Sequence, residues 1–229
     1  MALEFDPPAR GEVCIRGITP TEMAERVPAG RGLLLGVAGG IGCGKTAVTQ
    51  ALAELGAVVT DADKIGHSLL DVDSEAGKEI ISRFGPQVLE DGQISRPRLA
   101  ASVFGDQSAV ADLNAITHPR IRARALEILS QVQPGEIGVY DAALIIEAGM
   151  QDLVDVLVVV TAPEVQRLAL LQRNRGISAE QARARTAHQM PETERVGHAD
   201  VVIYNYGPLS ALRQAVTQWG EDVYAALRA

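Results

Sequence analysis

Residues 39–46 read Gly-Gly-Ile-Gly-Cys-Gly-Lys-Thr, an instance of G-x-x-x-x-G-K-[ST], placed between the apolar run Leu33-Leu34-Leu35-Gly36-Val37-Ala38 and a helix-like stretch over 46–55. The motif works in one local architecture. It needs a buried strand, a tight loop whose glycines let backbone amides face an anion, and a helix whose N-terminus favours negative charge. Gly39, Gly40, Ile41, Gly42, Cys43 and Gly44 form that loop. Lys45 is placed to reach the β- and γ-phosphates of a nucleotide, and Thr46 to offer its hydroxyl to a Mg²⁺ ion that also touches phosphate oxygens. A glycine-rich structural turn is the competing reading, and the strand-to-helix context favours nucleotide binding over it.

The rest of the chain repeats the strand and helix alternation. Ala57–Thr60 supplies a second short strand ending at Asp61-Ala62-Asp63, where a carboxylate can face a ligand crevice. From Lys64 to about Gln133 the pattern is mainly helical, interrupted at Gly85-Pro86 and Gly92, with Ile116-Thr117-His118-Pro119-Arg120 introducing a further helix. Strand character returns at 137–141 and 154–160. Pro163 then starts a periodic, arginine-bearing helical region. A last strand at 201–203 precedes Gly207-Pro208 and a helix across 209–219. Strands separated by helices predict a parallel α/β core closed by right-handed crossovers. Residues 1–32 are broken by Pro7, Pro8, Gly11, Gly17, Pro20, Pro28, Gly30 and Gly32 and read as an arm or extension. Within it, 13–18 can add an edge strand and 19–27 has the length of a short helix.

Composition narrows the function classes. With 47% apolar and 22% charged residues over 229 positions, the chain is globular rather than disordered. Its 21 basic and 29 acidic side chains give a net charge of -8, which argues against a nucleic-acid or acidic-membrane surface but permits a local basic pocket. Lysine occurs only at 45, 64 and 78, so arginine, the better bidentate partner for phosphate, supplies the remaining positive charge. Cys14 and Cys43 form neither a disulfide framework nor a close metal-binding pair, which fits a reducing compartment. There is no signal-like N-terminus and no apolar stretch near the roughly 20 residues that cross a bilayer. The expectation is a soluble cytoplasmic protein with no nucleic-acid or membrane partner and no obligate protein partner.

A phosphate loop alone does not choose a reaction. Asp61 and Asp63 are two positions apart and share a face if extended, so either can lie near phosphate chemistry. Asp63 is the preferred general base because it follows the strand and precedes the helical segment; a helix N-cap or a carboxylate of the Mg²⁺ network are the alternatives.

From Leu33 to Val216 the chain resembles the dephospho-coenzyme A kinases, a family of P-loop phosphotransferases. The resemblance is carried by LLLGVAGGIGCGKTAV, LGAVVTDADKIG, Phe84-Gly85, Asp91-Gly92, Val103-Phe104, LNAITHPRI (113–121) and ADVVIYNYG (199–207). It implies a three-layer P-loop kinase fold with a parallel sheet, an inserted helical substrate domain and a short arginine-bearing lid. The division is a 1–32 extension, a nucleotide-binding core of 33–64 and 134–216 that includes the lid, a CoA-binding insertion at 65–133, and a 217–229 tail. It also implies ATP-dependent, Mg²⁺-assisted phosphorylation of the ribose 3′-hydroxyl of dephospho-CoA, the last step of CoA synthesis, with ATP and dephospho-CoA as partners.

Residue by residue, the resemblance assigns Asp63 as general base and Lys45 and Arg173 as stabilisers of the transferring phosphoryl group. Arg96, His118 and Leu144 fall on acceptor-site positions, Asn205 on the adenine side, and Asp61 beside Thr46 in the metal network. Arg185, opening the R-x-A-x-Q segment completed by Gln189, is a weaker phosphate candidate. The chain departs from the family in Asp141-Ala142-Ala143-Leu144-Ile145-Ile146-Glu147, where Ala143 replaces the usual proline and frees the acceptor loop's φ angle. It departs again at Ser95, where an acidic residue is frequent, and at Cys43, where serine is common. Two other readings stay open: a regulatory P-loop NTPase, weakened for GTP by the lack of N-K-x-D beside Asp63-Lys64-Ile65-Gly66, and a non-catalytic nucleotide-binding protein.

Overall fold

The structure, a computed structural model, describes residues 7–175 and 190–229, with the side chains of 173–175 excepted. The chain divides into two compact units, one built from the chain up to Thr60 together with the chain from Leu129 onward, the other from Asp61–Ile128.

The first unit is organised by a sheet. Its strands are β1 (Val13–Gly17), β2 (Leu33–Gly39), β3 (Val58–Asp61), β6 (Ile137–Asp141), β7 (Val156–Thr161) and β8 (Val201–Asn205), in the order β1-β8-β7-β2-β6-β3 among the described residues. β2 lies between β6 and β7 and is parallel to both, with Leu33 opposite Ile137 and Leu35 opposite Val156. β7 and β8 are parallel as well. Every residue of β2, β6, β7 and β8 is buried, the near-continuous apolar strand type expected when both faces of a parallel sheet are covered. β1 is the exception in direction: it pairs antiparallel with β8 and occupies the sheet edge.

Helices α1 (Pro20–Glu25), α2 (Lys45–Glu54), α7 (Glu164–Arg175), α8 (Glu192–Gly197) and α9 (Leu209–Leu227) belong to this unit. α1 is opened by a capping box in which Thr19 and Glu22 satisfy each other's backbone groups. The helix expected over 209–219 continues to Leu227. Leu212, Val216, Trp219 and Val223 fall at three- and four-residue spacing on one face and enter the main core with Leu52 and Val48. Burial of that stripe, rather than propensity, carries the helix past 219.

The second unit holds α3 (Ala62–Ser68), α4 (Glu75–Phe84), α5 (Arg96–Val103), most of α6 (Gln107–Leu129), and a hairpin of β4 (Leu89–Glu90) and β5 (Gln93–Ile94). Ile80, Phe84, Val88, Ile94, Leu99 and Ala109 form its core. The hairpin, unforeseen in the helical reading, turns on Asp91 and Gly92, whose φ values of 50° and 77° suit a two-residue type I′ connection. α6 also corrects the expectation of a new helix beginning near His118, because it runs unbroken through Pro119. Thr117 Oγ1 donates to Leu113 O at 2.9 Å and Arg120 Nη1 to Ile116 O at 2.6 Å, so side chains occupy carbonyls around the missing proline N–H. Arg120 also pairs with Glu79 at 2.6 Å, tying this stretch to α4. No helix among the described residues is long and apolar enough to cross a membrane.

Candidate functional site

The parallel strands β2, β6, β7 and β8 end together, and the loop between β2 and α2 lies at their carboxyl ends, where open α/β sheets place ligands. The loop cannot carry side chains at two of its glycines. Gly42 has φ +79°, and a Cβ there would come 3.0 Å from Arg167 O and 3.2 Å from Leu171 Cγ, so α7 lies directly against the loop. Gly44, the N-cap of α2 at φ +100°, would drive a Cβ to 2.6 Å from Asn205 Nδ2. No side chain caps α2, which leaves its first amides oriented for an anion.

Lys45 opens α2 and its Nζ pairs with Asp141 Oδ1 at the end of β6. Asp141 Oδ2 accepts from Thr49 Oγ1, one helical turn after Lys45, at 3.2 Å. Val37 and Asp141 are register partners across β2 and β6, so the sheet itself sets the height of the carboxylate relative to the loop. Thr46 is exposed on the first turn of the helix. Cys43 is fully buried, and burial pushes its thiol up to about 11 despite the opposing pull of Lys45, Arg167 and Arg195. Those three cations collect around the loop in a chain whose net charge is negative.

Sequence reasoning missed three of these groups. Asp141 was readable as a strand-end carboxylate after an apolar run, but its pairing with Lys45 spans 96 positions. Arg195 is buried at 3% exposure, donates to Met190 O at 2.8 Å and lies 3.5 Å from Glu147 Oε1. Arg167 sits in α7, the segment in which the family resemblance singles out Arg173. The Nε atoms of Arg167 and Arg195 are buried without a partner among the described residues.

The dephospho-CoA kinase profile matches residues 33–210, from the first residue of β2 into the start of α9. This chain belongs to the dephospho-CoA kinase family. It is 39% identical over 196 residues to the dephospho-CoA kinase of Thermobifida fusca, covering 85% of this chain and 98% of that one. It is 41% identical over 193 residues to that of Moorella thermoacetica, covering 82% and 91%. Among solved structures, one from Thermus thermophilus aligns with a TM-score of 0.72 at 29% identity over 82% of this chain and 96% of the other. The dephospho-CoA kinase of Campylobacter jejuni aligns at 0.57 and 26%, over 83% and 96%. As a family member the chain is an enzyme, a phosphotransferase.

The remaining residues singled out by the family resemblance separate by unit. Lys45, Thr46, Leu144 and Asn205 lie in the first, while Asp61, Asp63, Arg96 and His118 lie in the second. Asp61 ends β3 and N-caps α3, its Oδ1 accepting from Lys64 N at 3.1 Å. Asp63 is exposed in the first turn of α3, and no hydrogen bond holds its carboxylate among the described residues. The capping alternative considered for Asp63 is thus filled by Asp61. Arg96 is exposed at the start of α5 and makes no ion pair among the described residues. His118 is partly buried in α6, and that burial lowers its pKa, favouring the neutral imidazole.

Leu144 is 49% exposed in the turn after β6, which begins with Ala142 N donating to Val37 O at 3.2 Å. Asn205, expected on the adenine side, is only 6% exposed, and its Nδ2 donates to Cys43 O at 2.9 Å. Its Oδ1 is buried too. The amide is turned onto the phosphate loop rather than outward. The backbone of α7 includes position 173, but the Arg173 side chain, together with Arg185 and Gln189, lies outside the described residues.

Proposed function

We propose that this chain transfers the γ-phosphoryl group of ATP to the ribose 3′-hydroxyl of dephospho-CoA, forming coenzyme A and ADP. The observation that carries the reading is the complete phosphate loop, with Lys45 fixed on the strand-end carboxylate Asp141, inside a chain of the dephospho-CoA kinase family. Lys45 and the free amides at the start of α2 would hold the β- and γ-phosphates and stabilise charge moving toward ADP. Thr46, exposed at the helix start, and Asp141, at the end of β6, are oxygen donors of the type that fits a Mg²⁺ carried in with ATP. The ion, when bound, neutralises phosphate charge. Arg167 and Arg195 add positive charge beside the loop, with Arg173 the further candidate.

Asp63 would accept the proton of the attacking hydroxyl. Its exposed carboxylate is uncommitted to the cap that Asp61 supplies, which leaves it available to orient and then deprotonate an acceptor. Arg96, also exposed, suits an acceptor phosphate, and neutral His118 suits a hydrogen bond to the acceptor better than a charge contact. Residues 61–128 would accordingly form the CoA-binding part, and Leu144 would offer an apolar contact.

The test is Asp63→Asn with saturating ATP and dephospho-CoA. Turnover should fall by about 10²–10⁴-fold while the KM for ATP stays near wild type. Near-wild-type turnover would remove Asp63 from the base role.

A further inference from the structure

The family match begins at residue 33, yet the residues before it are built into the sheet next to the phosphate loop. β1 runs along the whole of β8, from Val13 opposite Asn205 to Gly17 opposite Val201, and covers what would otherwise be the sheet edge. Both ends of β8 are fastened. At its start, Ile18 N donates to Asp200 O at 3.1 Å and Arg26 Nη1 pairs with Asp200 Oδ1 at 2.6 Å, while Asp200 Oδ2 accepts from Leu157 N of β7. Arg31 makes a bidentate pair with Asp155 at 2.6 and 2.7 Å, and Asp155 in turn accepts from Leu34 N of β2. At its far end, Tyr206 N donates to Glu12 O at 3.0 Å and Gly11 N to Tyr206 O at 2.9 Å. Gly207 is so close that a Cβ would stand 2.9 Å from Gly11 O and 3.1 Å from Val13 Cγ2.

Asn205, the last residue of β8, is held between these fastenings. Its Nδ2 donates to Cys43 O at 2.9 Å, while its Oδ1 is buried with no partner among the described residues. A buried amide with one unsatisfied end is costly, so the bond to the loop is the part of this side chain that the fold uses. The peptide is planar and trans, so tying Cys43 C=O toward Asn205 turns the Gly44 N–H the opposite way. That N–H belongs to the loop that faces the anion.

We propose that Asn205 is a positioning residue for the phosphate loop, and that the β1 addition splints β8 so that the Asn205 amide stays in register with Cys43. This rests on reading residues 39–46 as a nucleotide site.

The test uses the full chain and two readouts: the dissociation constant of Mg·ADP by calorimetry, which needs no acceptor, and the KM values for ATP and dephospho-CoA. Asn205→Ala and Asn205→Asp both remove the donor, the second keeping its size so that a folding failure of the first leaves a usable variant. Each should weaken Mg·ADP and raise the KM for ATP by about three- to tenfold, without moving the KM for dephospho-CoA.

The two-residue period set by Tyr206 N to Glu12 O and Ile18 N to Asp200 O turns the Cys14 N–H toward β8, so Cys14→Pro deletes one bond of the splint. It should weaken Mg·ADP in the wild-type background and have no further effect once Asn205 is alanine. Wild-type nucleotide affinity in both Asn205 variants, or equal effects of Cys14→Pro with and without the Asn205 amide, would overturn the proposal. A wild-type protein that binds Mg·ADP but makes no CoA would instead count against the acceptor assignment alone.

Discussion

Cys43 stands where the family commonly has serine, and the structure shows why a thiol is tolerated there. Its side chain packs inward, where a Cβ on Gly39 would come 2.6 Å from Sγ, so the thiol is turned away from the face where the proposed phosphate contacts of the backbone amides, Lys45 and Thr46 would lie. Burial raises its pKa from an ordinary 9.0 to about 11, which outweighs three nearby cations. At pH 8 only about one thiol in a thousand is then thiolate. A thiol reagent at pH 8 should therefore modify native protein once, at the partly exposed Cys14, and twice after denaturation. Rapid uptake of two equivalents by native protein would contradict this environment. The same shift sets a sign for stability. Unfolded chain loses this proton near pH 9 and folded chain only near 11, so the contribution is intact below pH 9 and declines as pH rises through that window.

At this scale the loop residues were legible because their spacing is local and their geometry is fixed by glycine. Asp141, Arg167 and Arg195 were not, since their relation to the loop depends on strand register and helix packing between distant segments. Asn205 shows a subtler limit: family likeness marked the position, and only the fold shows its amide spent on Cys43.

Among the elements, α9 diverges most from its sequence reading. Its apolar residues continue past 219, and Trp219 and Val223 are part of the main core rather than of a tail. Trp219→Ala should cost about 3–5 kcal/mol in urea unfolding. A loss under about 1 kcal/mol would show that this half of the helix is peripheral. α6 and the Asp91-Gly92 hairpin fail in sequence reading for opposite reasons. Pro119 looks like a boundary yet is absorbed by a long helix whose neighbouring carbonyls are taken by side chains, whereas the hairpin is two-residue strands, too short to show alternation. The buried strands β2, β6, β7 and β8 were readable because both their faces demand apolar residues.

For the whole molecule, an acidic chain sets Lys45, Arg167 and Arg195 near the buried Cys43, and the segment outside the family match is stitched to β8, whose last residue bonds to the same loop. Composition alone could exclude a generally basic surface but could not place these three cations, because Lys45, Arg167 and Arg195 come near one loop only after the sheet forms. The overall α/β order followed from alternating strands and helices. The edge strand expected over 13–18 forms as β1, but its antiparallel direction did not follow, since five residues rich in neither pattern can pair in either direction.

The phosphoryl group should pass to a nucleotide-like alcohol rather than to water. Purified protein given ATP, Mg²⁺ and dephospho-CoA, with CoA, ADP and inorganic phosphate measured together, should form CoA and ADP in equal amounts with little free phosphate, and Lys45→Ala should abolish both products. ADP and phosphate without CoA, from folded protein that binds ATP, would contradict it.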